Sequence, residues 1–234
     1  MPRWPKKLWQ SFSLFNHRYR PHSHVIAALG THKLEAVQIC QGDKTIEVEC
    51  ERLACGFGLI PNTQIALALG CELMGNAVKV DGWQETTIKH HFAAGECAGV
   101  GGSELAIVTG AIAGYAAIGD HDNGRKLLGM RDHWQRFAEA VQQAFKLDAR
   151  VKSLATVDTL VCRCEDVSYG AVAANSGWRE AKLTTRCGMG ACQGRVCGGA
   201  LEHLFDWTVG APRPPFNPAR IETLIEMATV KETP

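Results

Sequence analysis

The chain has almost no net charge. Its 25 Lys and Arg stand against 24 Asp and Glu, a formal +1 over 234 residues. No global field is therefore available to hold nucleic acid or anionic lipid. No apolar run reaches the roughly 20 residues that cross a bilayer. The basic start, MPRWPKKLWQ, lacks the apolar stretch and small-residue cleavage site of a secretory signal. None of the nine histidines falls in an HxxxH or HExxH spacing, so a histidine-built zinc site is not predicted. No acid–base dyad stands out as catalytic. The G-x-G-x-x-G loop that seats a dinucleotide pyrophosphate is also missing. What remains is ordinary globular composition, 46% hydrophobic and 21% charged, enough for one or two domains.

Cysteine is what the chain has in excess. There are ten, and without export features they fit a reducing, cytoplasmic setting with metal or redox use. Five are scattered between Cys40 and Cys97. The other five crowd residues 161–200, which read VCRCEDV, a polar interval, then TRCGMGACQGRVCGGA. Thiolates gathered this closely repel one another and are costly to bury. A metal removes that cost, because its positive charge holds the ligand as thiolate.

Three readings of the cluster compete. An iron–sulfur cluster takes four thiolates from two loops. Cys162-x-Cys164 supplies one pair, and Cys187-x4-Cys192 or Cys192-x4-Cys197 the other. Structural zinc also takes four thiolates, but its pairs are usually two to four residues apart, which fits the CxC gap poorly. Disulfides or spare thiols are the third reading. Gly188, Gly190, Gly194, Gly198 and Gly199 surround the second group. Glycine lets backbone approach a bulky centre, and successive N–H groups form anion-binding nests. The run GGALEHLFDW predicts a helix beginning near Cys192 to Cys197, its positive end toward an anionic centre.

CRCEDV followed by TRCGMGACQGRVC resembles the bacterioferritin-associated-ferredoxin-like [2Fe-2S] domain. The version it is most similar to is that of flavin-dependent dehydrogenases, among them the flavoprotein subunits of hydrogen cyanide synthase, opine oxidase and proline or hydroxyproline dehydrogenases. The resemblance implies Cys162, Cys164, Cys192 and Cys197 as ligands. It leaves Cys187 as an extra thiol near the cluster, or a substitute ligand.

Upstream, Trp4, Leu8, Trp9, Phe12 and Phe15 predict an amphipathic helix packed on its own domain. HVIAALG, KLEAVQIC, TIEVEC and RLACG predict antiparallel strands parted by turns at Gly30 and Gly42. A helix is predicted over 64–69, and strands over 77–81 and 90–94. His90 and His91 then face opposite ways as strand neighbours. SELAIVTGAIAGYAAIG predicts a small-residue helix capped by Ser103. Leu127, Leu128, Trp134, Phe137, Val141 and Phe145 mark an amphipathic helix within 125–150. Helical segments are predicted over 168–175 and 178–183. APRPP reads as an extended strap before a last helix.

GFGLIPN, Thr86-Thr87 and AAGECAG together resemble the C-terminal half of a two-dinucleotide flavoprotein. That likeness puts Gly95 and Glu96 at the flavin ribityl chain. Ser103, Leu105 and Ala106 fall near the ring, and Gly56, Phe57 and Gly58 at a strand-end contact. Glu96 stands where the family carries Asp. Without the pyrophosphate loop, FAD binding by this chain is incomplete. The strands from His24 resemble only the tail of a nicotinamide domain, too little to predict NAD(P) binding.

The expected fold class is α/β: a partial Rossmann-like flavoprotein domain (1–124), a helical connector (125–155), a small α-rich [2Fe-2S]-binding domain (156–211), and a proline-rich strap with a C-terminal helix (212–234). The function implied by resemblance is an FAD- and [2Fe-2S]-dependent dehydrogenase component, working with other subunits on a small amine or amino-acid substrate. A non-catalytic iron–sulfur or zinc module that assembles with a partner flavoprotein is the alternative.

Overall fold

The structure, a computed structural model, describes residues 20–207 and 219–229. The expected N-terminal helix and the proline strap lie outside the described residues. By internal packing the chain divides into two units, residues up to Gly56 with Asp148–Thr156, and Phe57–Leu147 with the residues from Val157 on.

The first unit is an antiparallel meander of β1 (Ser23–Leu29), β2 (Ala36–Gln41) and β3 (Lys44–Glu49). Val and Ile on these strands suit a pleated, half-buried surface, and Ala36 and Val37 are its buried residues. Gly42, at φ 59°, closes the hairpin that pairs Gln41 with Lys44. The fourth expected strand, RLACG, does not form. Residues 50–63 have no regular structure, and Leu53 and Leu59 are exposed. Among the described residues no strand pairs with this run, so its backbone has no ladder to join. A 3₁₀ turn, Ala149–Leu154, completes the unit, with Arg150 hydrogen-bonded to the Asp148 carboxylate through its side chain and its backbone.

The second unit opens with α1 (Gln64–Ala68) and a short hairpin of β4 (Leu73–Met74) and β5 (Ala77–Val78). The expected strand at 90–94 is reduced to one bridge between Glu85 and Phe92. His90 lies at φ 62°, where a strand cannot continue, and its N–H donates to Glu85 Oε1 at 2.6 Å. His90 and His91 are therefore both exposed turn residues rather than one in and one out.

Helix α2 (Ser103–Ala117) buries Leu105, Val108, Thr109 and Ile112. Gly102, at φ 84°, takes the N-cap position, and Ser103 becomes the first helical residue, so the cap expected of Ser103 is corrected by one residue. Helices α3 (His121–Arg125) and α4 (Leu128–Ala144) follow. The apolar stripe of α4 is only partly covered: Leu128 and Trp134 are half-buried, Phe137 is 56% exposed and Phe145, just past the helix, 74%, whereas Ala138 is 4%. Gly101 lies beside that residue, where an added Cβ would stand 3.3 Å from the Ala138 methyl.

The remaining elements are β6 (Leu160–Cys162), β7 (Val167–Ser168), α5 (Tyr169–Ala173), α6 (Trp178–Thr185), α7 (Cys197–Phe205) and α8 (Ile221–Thr229). Antiparallel β6 and β7 and helices α5 to α7 enclose a core of Val161, Cys162, Val167, Val172, Ala181, Cys187, Cys197 and Leu201. Tyr169, Phe205 and Trp207 stack along its flank, with centroids 5.0 and 4.7 Å apart. Three cysteines thus sit inside an apolar core.

Candidate metal centre and flavin corner

Strand β6 delivers Cys162 into the core, and the turn after it carries Cys164 outward. Helix α6 ends at Arg186, in the left-handed conformation at φ 65°, which turns the chain into Cys187. Helix α7 begins at Cys197. The Sγ atoms of Cys162, Cys187 and Cys197 lie within 4.8 Å of one another. All three are buried, at 1%, 0% and 1% exposure. Cys192 is half-buried, and the exposed Cys164 thiol adjoins it. Five thiols therefore fall into two adjoining groups, an inner three and an outer two.

Backbone donors decide where negative charge is best held. Burial pushes the Cys162 thiol up, but N–H groups of Gly188, Glu165 and Cys164, with the Cys197 thiol, bring it below its ordinary value. The N–H of Val196 holds the Cys192 thiol down, helped against burial by the Cys164 thiol and by the N–H groups of Gly194 and Arg195. Each group thus has one thiol whose ionised form backbone donors favour. Cys187 is pushed up to about 11 by burial and by the charge of Cys162. Burial and the neighbouring thiols also push Cys197 well up. Without a metal, the inner three cannot all ionise.

Two glycines are dictated by this geometry. A Cβ on Gly190 would stand 2.3 Å from Cys164 Cβ, so only glycine lets the second loop lie against the first. Gly188, at φ 80°, passes over Trp178, whose Cη2 would lie 2.4 Å from a Cβ there. An ion pair ties the same loops together, Arg186 Nε to Glu165 Oε2 at 2.8 Å, with Glu165 19% exposed. Reading the sequence missed this pair. Its signal is an acid directly after the CxC and a base directly before Cys187.

The expected flavin corner comprises α2 and the 3₁₀ turn Gly95–Ala98 packed against it. Gly95 N–H donates to Thr109 Oγ1 at 3.1 Å. Glu96 Oε1 accepts the Gly102 N–H at 2.8 Å, so the carboxylate spans the glycine loop and stays exposed. Gly95, Glu96, Ser103 and Ala106 share this corner. Leu105 is turned into the core and offers only its backbone. Gly56, Phe57 and Gly58 lie in the irregular run, with Phe57 65% exposed and open space beside both glycines.

Known proteins are similar to this chain in sequence. Over 174 residues the chain is 33% identical to the HcnB subunit of hydrogen cyanide synthase from Pseudomonas aeruginosa, covering 65% of this chain and 37% of that protein. Over 203 residues it is 30% identical to an opine oxidase subunit from Agrobacterium tumefaciens, covering 77% of this chain and 40% of that protein. The corresponding opine oxidase subunit from Rhizobium meliloti is 29% identical over 203 residues, 77% of this chain and 38% of that protein. The chain spans about two fifths of the length of these curated relatives. Residues 18–144, more than half of the chain, match the pyridine nucleotide-disulphide oxidoreductase family, and the chain belongs to that family.

Proposed function

We propose that the chain is a flavin- and [2Fe-2S]-dependent oxidoreductase component, passing electrons from an amine or amino-acid substrate through FAD to an iron–sulfur cluster. The observation that carries this reading is the convergence of five thiols in two groups, three of them inside an apolar core. Buried thiols without a metal are inert and protonated. Here two of the five are cradled by backbone donors that favour the thiolate. That donor set fits a cluster held by Cys162, Cys164, Cys192 and Cys197. When bound, a [2Fe-2S] cluster accepts and releases one electron at a time. The chain's own residues hold four thiolates, exclude water from the inner side through Val161, Val172 and Leu201, and clamp the loops through Glu165 and Arg186.

The proposed FAD contacts are Gly95, Glu96, Ser103, Leu105 and Ala106 in the α2 corner, and Gly56, Phe57 and Gly58. The pyrophosphate contact is not among them, since no G-x-G-x-x-G run occurs. The relatives are named as subunits of hydrogen cyanide synthase and opine oxidase. Those names support assembly with other subunits and a small-molecule substrate. No described helix is long and apolar enough to cross a membrane, and a cytoplasmic setting is proposed from the ten free cysteines.

A second reading has its own observation. Three thiols within 4.8 Å of one another suit one tetrahedral ion, whose ligands at about 2.3 Å stand about 3.8 Å apart. A zinc module would then assemble with a partner flavoprotein.

An absorption spectrum of anaerobically purified chain, with iron, sulfide, zinc and flavin analysis, separates the two. Broad visible bands with about two irons per chain support the electron-transfer reading. A colourless, zinc-loaded sample refutes it. Cys192→Ser is expected to abolish the cluster, and Cys187→Ser to leave iron content largely intact.

A further inference from the structure

Resting on the cluster reading, we propose that Cys187 is an interchangeable ligand of the buried half of the site. Any two of Cys162, Cys187 and Cys197 complete that half, while Cys164 and Cys192 have no substitute. A two-iron cluster takes four protein thiolates, and this chain presents five. The fifth is not peripheral. Cys187 is 0% exposed, and its Sγ lies within 4.8 Å of both inner thiols.

Position decides which ligands Cys187 can replace. Thiols that adjoin are those that can share one iron. Cys162 and Cys197 lie within 4.8 Å of each other, and the loop of Cys192 lies against Cys164, where a Cβ on Gly190 would meet Cys164 Cβ at 2.3 Å. Cys187 joins the first group at contact distance, so replacing an inner ligand needs a sulfur shift smaller than the group itself. Its loop is anchored on both sides. The Cys187 N–H donates to Thr185 Oγ1 at 3.2 Å, and the Met189 N–H to Arg186 O at 2.9 Å. The swap therefore rotates a side chain rather than rebuilding a loop. Cys187 gives up its thiol proton to solvent as it binds and replaces the thiolate removed, so the ligand charge is unchanged. The exposed Cys164 has no third thiol grouped with it and Cys192 among the described residues.

The test is a variant panel of the full chain, purified anaerobically. Iron and sulfide per chain, visible spectrum and electron paramagnetic resonance after reduction are read for each. Wild type must carry the cluster; if it does not, the underlying reading fails and the swap falls with it. Cys197→Ala is expected to retain most of its iron with shifted g-values. Cys187→Ala/Cys197→Ala is expected to lose the cluster, as is Cys164→Ala. Loss of the cluster from Cys197→Ala with native far-ultraviolet circular dichroism overturns the proposal and leaves the four-ligand reading standing. Should Cys197→Ala fail to fold, the near-isosteric Cys197→Ser carries the same question. A retained all-sulfur spectrum supports the swap. A spectrum with an oxygen ligand, or none, overturns it.

Discussion

Gly190 and Gly199 offer a controlled pair, because each has a heavy atom far too close to an added Cβ. At Gly190 the obstacle is Cys164 Cβ at 2.3 Å, with Cys164 Cα at 3.4 Å behind it. At Gly199 it is the Ile60 Cδ1 methyl at 2.1 Å. Carbon atoms pack at about 3.5–4.0 Å, so each must open by more than about 1 Å. Cys164 Cβ is fixed to backbone in the turn after β6, so Gly190→Ala pushes the two cysteine loops apart. Overpacking of that kind costs about 1–3 kcal/mol. Ile60 is 60% exposed and its terminal methyl can rotate away. Gly199 lies within α7, where alanine gains up to about 1 kcal/mol over glycine. Gly199→Ala should therefore be neutral or stabilising. Urea unfolding of the metal-free chain, followed by far-ultraviolet circular dichroism, reads both. At a slope of about 1–3 kcal/mol per molar, Gly190→Ala should lower the midpoint by about 1 M and Gly199→Ala should not lower it. Iron per chain should fall in Gly190→Ala alone, since its displaced loop carries Cys164. Equal midpoints for Gly190→Ala and wild type, or equal losses in both variants, would refute the steric argument.

Other consequences are simpler. Leu201, 0% exposed in the thiol-bearing core, should lose about 2–5 kcal/mol on Leu201→Ala, measured as the same urea midpoint. Arg186 ends α6 in the left-handed region at φ 65°, so Arg186→Gly should be more stable than Arg186→Ala, the reverse of the helix-interior order. Both variants lose the Glu165 ion pair, and thermal unfolding of the two compares them with that loss held equal. The hydroxyl and N–H of Ser176 hold the Glu180 carboxyl below its usual value at the start of α6. A depressed folded-state value means that this stabilisation is present above the unfolded carboxyl range and is lost as pH falls through the folded one. The stability difference between wild type and Glu180→Gln should accordingly shrink on acidification below about pH 4.5. A difference constant with pH would sink that assignment.

The local patterns were legible in the chain itself. The period of β1 to β3, the helices at 64–68 and 103–117, and the helix starting at Cys197 all follow from residue spacing. So does the crowding of five cysteines among glycines, because side-chain type and turn chemistry act over a few residues. Neighbours decided the rest. RLACG and residues 90–94 have strand composition but remain mostly unpaired, since a strand needs a ladder that composition does not supply. The C-terminal part of the α4 stripe stays exposed because Ala138, not Phe137, is the residue buried beside Gly101. Above all, spacing could rank the thiols but not group them. Cys187 is five residues from Cys192 and 25 from Cys162 along the chain, yet folding sets it against Cys162 and Cys197 in one buried core. Cys164, two residues from Cys162, is turned outward to Cys192, because the tight turn after β6 breaks the strand alternation that would have put both on one face.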